Sequence, residues 1–255
     1  MKIATWNVNS VRMRIGHICR WLEKAQPDVL LLQELKCETE AFPYFEIQAA
    51  GYRACVLGQK SYNGVALLSR HPVEDIKLNL YAEDQQARYV EATVKNTRIA
   101  SLYLPNGNPV GTDKYDYKMK WMKALKGHLQ KLLQHEYAAV LGGDFNVIPT
   151  EMDVFDPKLW TNDALFLPET RKKWREMLNL GYVEAFRALH PDKKDAYSFW
   201  DYQAGSWPQN KGLRIDHFLL SPQAADRLID CQIDPQPRGE GKASDHTPVW
   251  VTLKD

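Results

Sequence analysis

Long apolar runs are missing from this chain. Its apolar stretches are short, such as Val29-Leu30-Leu31-Leu32. A bilayer-spanning helix needs about 20 apolar residues, so no membrane partner is expected. The opening Met-Lys-Ile-Ala-Thr-Trp-Asn has no apolar leader segment, and the expected location is the cytoplasm. Cysteine is scarce. Cys19, Cys37, Cys55 and Cys231 lie far apart, form no Cys-x-x-Cys and stand at no zinc-finger spacing from a histidine. In a reducing compartment they read as free thiols, small buried hydrophobes rather than a disulfide frame. No tandem repeat, low-complexity tract or Ser/Gly linker is present. Charge of one sign is missing too. With 33 basic and 32 acidic side chains the net charge is +1, so a polyanionic partner would need a local basic patch.

What remains is ordinary globular composition. The 255 residues are 44% hydrophobic and 25% charged, which suits one domain over residues 1–255. Residues 3–8 alternate as a β-strand, and Ser10 reads as the N-cap of a helix. Val11, Ile15, Ile18, Leu22 and Ala25 then recur at helical spacing until Pro27. Residues 28–34 read as a buried strand with an acid at its end. Strands are expected at 52–57, 64–69, 88–94 and 98–104, close enough together for an antiparallel meander. A loop over 104–112 leads to a long helix reaching about residue 135. A buried strand over 137–142 ends in Gly142-Gly143-Asp144-Phe145-Asn146. A helix opens near Pro168 and stops at Gly181. Further strands are expected at 197–200, 214–220, 229–233 and 248–253. Strands this close together do not make βαβ units. The expected fold is α/β, with two packed mixed sheets and helices outside.

Polar residues collect where the strands stop: Asn7, Asn9, Glu34, Tyr103, Asn106, Asp144, Asn146, Asp216, Asp245 and His246. Each alone reads as a turn former or cap. Together they hold four carboxylates, one histidine and several amides, a hard-oxygen set suited to Mg²⁺ or Mn²⁺ and wrong for structural zinc. Asp216 is the most informative. Its apolar neighbours place it in a core strand, where an unpaired carboxylate is costly. His246, in a loop with another acid, is the partner it would orient.

Five blocks carry a resemblance. They are Thr5-Trp6-Asn7-Val8-Asn9-Ser10, Leu32-Gln33-Glu34-Leu35-Lys36, Gly143-Asp144-Phe145-Asn146-Val147-Ile148-Pro149-Thr150, Gly212-Leu213-Arg214-Ile215-Asp216-His217 and Ser244-Asp245-His246-Thr247-Pro248. In this order they resemble the exonuclease III family of abasic-site endonucleases, from residue 5 to residue 248. The resemblance implies a four-layer α/β sandwich that hydrolyses phosphodiesters of double-stranded DNA with Mg²⁺, or Mn²⁺ in its place. It makes Glu34 the main metal ligand with Asp245, completed by Asn7 and Asn9, and puts Lys36 behind Glu34. Asp144 would activate the attacking water and Asn146 would hold it. His246, backed by Asp216, would bind a phosphate oxygen, and Tyr103, Asn106 and Asn7 would contact the scissile phosphate. A second metal, if two act, would use Asp144, Asn146 and His246. The sequence is neutral between one metal and two, and between Asp144 and His246 as the base. A monomer with no obligate protein partner is implied.

Departures from the family pattern matter. Asn9 stands where many relatives carry Asp, which lowers negative charge near the metal, and Leu35 replaces a common Thr. Phe199, Leu213 and Ile215 match the wall of the pocket that receives a flipped abasic sugar. Leu165 stands where the family usually has Gly, Ala or Ser, and its bulk is expected to weaken abasic-site cleavage relative to 3′-end processing. The alternative places Leu165 simply in the core. Trp200, Tyr202 and Trp207 either stack on nucleotides or fill the fold. Lys114, Lys118, Lys120, Lys123, Lys126 and Lys131 read as a solvated helix face or as a track for phosphates, and so do Arg171, Lys172, Lys173, Arg175, Arg238 and Lys242. Two other functions compete. One is a phosphodiesterase or phosphatase of the same superfamily with another substrate, such as a phosphoinositide, sphingomyelin or RNA. The other is a non-catalytic nucleic-acid-binding regulator.

Overall fold

The computed structural model describes residues 1–254. The chain runs through β1 (Lys2–Asn7), α1 (Val11–Ala25), β2 (Val29–Gln33), α2 (Tyr44–Ala49), β3 (Arg53–Leu57), β4 (Val65–Ser69), β5 (Glu74–Leu78), β6 (Tyr89–Val94) and β7 (Thr97–Tyr103). It continues through α3 (Asp113–Leu133), β8 (Ala139–Asp144), α4 (Pro168–Leu178), β9 (Val183–Glu184), α5 (Ala185–Leu189), β10 (Asp216–Leu220), α6 (Pro222–Ala225), β11 (Leu228–Ile233) and β12 (Val249–Leu253). Two six-stranded sheets form, in the orders β11-β12-β1-β2-β4-β3 and β5-β6-β7-β8-β10-β9. Both are mixed. β1–β2 and β7–β8 are parallel pairs within otherwise antiparallel sheets.

The pleat explains the layers. In β1 and β2, Ile3, Val29 and Leu31 point between the sheets, where they join Val90, Ile99, Val140 and Phe218. Ala4, Trp6, Leu30 and Leu32 point the other way and pack under α1 with Val11, Ile18 and Leu22. β2 is therefore buried on both faces, which is why it reads as a continuous apolar run. On the second sheet, Leu102 and Leu141 meet Trp121, Leu125 and Leu129 of α3 and Trp174 of α4. The result is the α/β/β/α sandwich. The Gly142-Gly143 pair is a packing requirement. A Cβ at Gly142 would lie 2.4 Å from Phe218, and one at Gly143 would lie 2.0 Å from the Leu102 carbonyl oxygen.

Several local expectations are corrected. The four closely spaced strands make no single meander. β3 and β4 pair in the first sheet, whereas β6 and β7 pair in the second. Residues 197–200 make only isolated bridges, through Phe199 to Leu213 and His246. β5 is an addition to the expected strands; its Glu-Asp-Ile-Lys-Leu sequence is polar because it forms a sheet edge, where charged residues discourage further pairing. Ser10 occupies the N-cap of α1, yet its side chain makes no cap bond. The cysteines are free as expected, but Cys19 and Cys55 are only half-buried. Among the described residues, no helix is long and apolar enough to cross a membrane.

A buried charge network locks the second sheet behind the Gly212–His217 segment. Arg214 donates from Nε to Asp153 Oδ1 at 2.8 Å and from Nη1 to Glu184 Oε1 at 2.9 Å, and Arg187 Nη2 reaches Asp153 Oδ1 at 2.5 Å. Burial alone would raise both carboxylates; the Arg214 guanidinium reverses this and holds each down at about 2. Their unfolded values are about 3.9 and 4.3. The stability they contribute is therefore complete above pH 4 or so and is lost as pH falls from about 4 towards 2. Arg214→Met leaves the buried Glu184 without an arginine and Asp153 with Arg187 alone, and is expected to cost about 3–5 kcal/mol in urea unfolding at pH 7. A cost below about 1 kcal/mol would show that the network carries no net stability.

Candidate active site

One rim of the stacked sheets collects the polar residues. β1 ends at Asn7, β2 runs into Glu34, β7 ends at Tyr103 and β8 ends at Asp144. β10 runs antiparallel to β8, with Asp216 opposite Asp144, so its first residue lies at the same rim. The loop before β12 brings Asp245 and His246 there, and Trp6 Nε1 fixes that loop by donating to the His246 carbonyl at 3.1 Å.

The loop after β2 is strained in favour of the site. Glu34 and Lys36 have φ of 52° and 55°, a left-handed conformation that costs such residues about 1–3 kcal/mol each. Backbone bonds hold it. Ser10 N donates to Glu34 O at 2.8 Å, and Leu35 N and Lys36 N donate to Gly64 O and Asn63 O. The conformation directs Glu34 at Asn7, whose Nδ2 donates to Glu34 Oε1 at 2.8 Å and to Asp144 Oδ2 at 3.0 Å. Lys36 Nζ lies 2.9 Å from Glu34 Oε2 and 2.5 Å from Asn9 Oδ1. Burial would push the Glu34 carboxyl up, but the Lys36 charge and the Asn7 amide bring it below the usual range.

A second row crosses the rim. Ser198 Oγ donates to Asp216 Oδ2 at 2.6 Å, and His246 Nδ1 lies 2.9 Å from the same oxygen. His246 Nε2 lies 3.7 Å from Asp144 Oδ2. Burial opposes charge on the imidazole, yet Asp216 and Asp144 raise it to about 10, so it is protonated at neutral pH. Asp144 is raised by burial, with Asp216 and Glu34 adding to the effect and His246 opposing it. Asn146, at φ 47°, gives its backbone N–H to Asp144 Oδ1 at 2.9 Å and its Nδ2 to Leu104 O at 2.9 Å. Its Oδ1 accepts from Asn106 Nδ2 at 3.1 Å. Tyr103 is raised by burial and by the negative Glu34 and Asp144, so its hydroxyl stays protonated.

Glu34, Asp144 and His246 each offer one ligand atom within 4.8 Å of the others. Within this group the Glu34 and Asp144 carboxylates supply hard oxygen donors that suit a small divalent cation held partly through water. Two expected ligands stand differently. Asp245 lies outside the group, with Oδ1 accepting from Asn9 Nδ2 at 3.1 Å and from Ser244 Oγ at 3.4 Å. Asn7 turns its amide nitrogen, not its oxygen, to the carboxylates; that oxygen accepts from Asn9 N–H. Asn9 thus bridges Lys36 and Asp245.

Phe199, Leu213, Ile215 and Leu165 come together in one apolar cluster with Ile148, Val154 and Phe166. The Phe199 ring packs 4.9 Å from His246, which joins this cluster to the polar row. Leu165 is thus both core and neighbour of the expected pocket wall. Trp200 is buried, while Tyr202 is half exposed and donates its hydroxyl to Ala243 O.

Two expected surface cations are not on the surface. Arg238 is buried against Tyr202 and Trp207 and donates to Trp200 O. Lys118 is fully buried, and burial pushes its ammonium down to about 7. Its position on the same stripe as Trp121, Leu125 and Leu129 was the available signal. Ser198 and Arg14 carry no sequence signal of their place in the site; Arg14 donates to Asn9 O at 2.6 Å. Lys126 and Lys173 both pair with Glu176. Lys114 instead lines an open groove of about 590 Å³ beside Tyr103 and Asn106, with Tyr62, Arg88 and Tyr117.

Residues 4–246 match the sequence model of the Endonuclease/Exonuclease/phosphatase family. The chain belongs to this family. Among endonuclease/exonuclease/phosphatase relatives, the exodeoxyribonuclease III of Haemophilus influenzae is 33% identical over the full length of both chains. An AP endonuclease from Archaeoglobus fulgidus is 35% identical, with a TM-score of 0.96 over all of both chains. The 3′ phosphatase NExo from Neisseria, solved with a product DNA hairpin, is also 35% identical, with a TM-score of 0.97 and complete coverage of both chains.

Proposed function

We propose that this chain is an exonuclease III-type DNA-repair phosphodiesterase that removes nucleotides and phosphates from 3′ ends of duplex DNA and cleaves abasic sites weakly. The observation that carries this reading is the Glu34–Asn7–Asp144–His246–Asp216 row at an open rim. The names of the full-length relatives support DNA as the substrate.

Hydrolysis of a diester places charge on the phosphate oxygens and on the departing 3′-oxygen. Glu34 and Asp144 would hold Mg²⁺, which when bound supplies Lewis-acid stabilisation of that charge. Asp144, with its raised affinity for a proton, can take one from an attacking water. His246 gives its Nδ1–H to Asp216, which leaves Nε2–H for a phosphate oxygen. The Tyr103 hydroxyl donates to a second oxygen, and Asn146 aims Asn106 at the same phosphate. Arg88 and Lys114 in the adjoining groove meet the DNA backbone. The reading includes Mn²⁺ as a substitute for Mg²⁺, a monomer and a cytoplasmic location.

The test compares two labelled duplexes, with Mg²⁺ and with EDTA. One has a recessed 3′ end and the other an internal abasic-site analogue. Metal-dependent shortening of the first with slow incision of the second is expected; no cleavage of either rejects the reading. Leu165 carries the substrate preference, because its bulk occupies the apolar cluster containing Phe199, Leu213 and Ile215. Overpacking of about 1–3 kcal/mol against a flipped sugar corresponds to roughly 10- to 100-fold in rate. Leu165→Gly is expected to raise abasic incision by that factor and to leave 3′-end cleavage unchanged. If neither activity changes, Leu165 is core alone.

A further inference from the structure

A buried cation lies directly behind the loops that carry Asn106 and Asn146. Lys118, on the second turn of α3, is 0% exposed. Its Nζ donates to the Asn106 carbonyl at 3.0 Å and to the Asn146 carbonyl at 2.6 Å. The two carbonyls belong to different loops, one after β7 and the other after β8. On the far side, the side chains of the same two residues join, Asn106 Nδ2 to Asn146 Oδ1 at 3.1 Å. Each asparagine is therefore held twice, by its main chain to Lys118 and by its amide to the other.

The surrounding residues are fitted to this arrangement. Gly107 has φ +89°, and a Cβ there would lie 2.5 Å from Lys118 Cδ, so the loop closes onto the lysine stem itself. Asn146 adopts φ 47°. The rest of the stripe on α3 is apolar, with Trp121, Leu125 and Leu129. A methionine would continue that stripe without the desolvation cost of a buried ammonium. A methionine could bond neither carbonyl, whereas the Lys118 amine ties two loops of the site together.

We infer that Lys118 is a positioning residue, whose bonds to two main-chain carbonyls aim the amides of Asn106 and Asn146 at the reacting phosphate. The inference rests on the phosphodiesterase reading above. Its effect belongs in turnover rather than in substrate affinity, because a small misplacement of positioning groups can cost about 100-fold in rate.

The experiment is steady-state cleavage of a recessed 3′-end duplex at saturating Mg²⁺ by wild type, Lys118→Met, Asn146→Ala and the double variant. Circular dichroism and thermal unfolding first establish that each is folded. Lys118→Met is expected to lower kcat by about 100-fold with KM within roughly threefold. In the Asn146→Ala background the same substitution should cost less, since one of the two amides it positions is gone and the other has lost its partner. Should Lys118→Met not fold, Gly107→Ala keeps the ammonium but forces the loop off it, and should give the same loss in kcat. Wild-type kcat in Lys118→Met, or losses that simply multiply in the double variant, would overturn the inference. The wild-type rate alone reports on the phosphodiesterase reading, whereas the ratio of variant to wild type reports on Lys118.

Discussion

Asp144→Asn should abolish nearly all cleavage and leave the protein as stable as before, or more so. The side chain is fully enclosed, its Oδ1 accepts the Asn146 N–H, and its Oδ2 faces both the Asn7 amide and His246. Burial and the nearby Asp216 and Glu34 raise its affinity for a proton. A carboxyl raised in the folded state opposes folding at pH values above its unfolded range, so the neutral amide removes a burden at pH 7. The same amide cannot accept a proton from water. Loss of a positioned general base corresponds to about 10²–10⁴ in rate, and the loss of a cation ligand adds to it. The expected result is a kcat at least about 10³-fold lower, with an unchanged or higher unfolding temperature in EDTA. Substantial turnover in this variant would exclude Asp144 as the base.

Metal withdrawal should separate activity from folding just as sharply. Glu34 and Asp144 share the Asn7 amide and lie close enough together to hold one cation. The fold itself is secured elsewhere, by apolar layers on both faces of each sheet. EDTA is expected to lower cleavage by at least about 10³-fold while leaving the circular dichroism spectrum intact. A cation that binds only the folded chain stabilises it by mass action. At about 100 times its dissociation constant the gain is about 2.7 kcal/mol. For a chain of this size that corresponds to a rise of roughly 5–10 °C in Tm. Full activity in EDTA would exclude the metal reading, and unfolding in EDTA would make the metal structural.

Features decided by a residue's own neighbours were legible in the sequence. The double-sided burial of β2, the helical stripe of α1 and the pairing of Asp216 with His246 all follow from local pattern and from the cost of an isolated buried carboxylate. Features decided by distant packing were not. Whether a hairpin joins one sheet or the other is invisible in its alternation, so β3–β4 and β6–β7 read as one meander. β5 is polar because it is an edge, and it resembles a loop. In the sequence Lys118 and Arg238 look like ordinary cations, which face water. Their carbonyl partners are backbone groups, which leave no mark in the sequence. The orientation of Asn7 was equally hidden, since residue type does not say whether an amide offers its oxygen or its nitrogen.

The first strand and the last lie side by side: β1 pairs with β12, and Trp6 reaches the His246 carbonyl. A ribosome must therefore deliver almost the whole polypeptide before these groups can meet. A nascent chain of 240 residues already carries Glu34 and Asp144 but lacks His246. Pairings that span such a length of chain also form late in folding. The rim that brings Glu34, Asp144 and His246 together is thus closed by strands from opposite ends of the described chain.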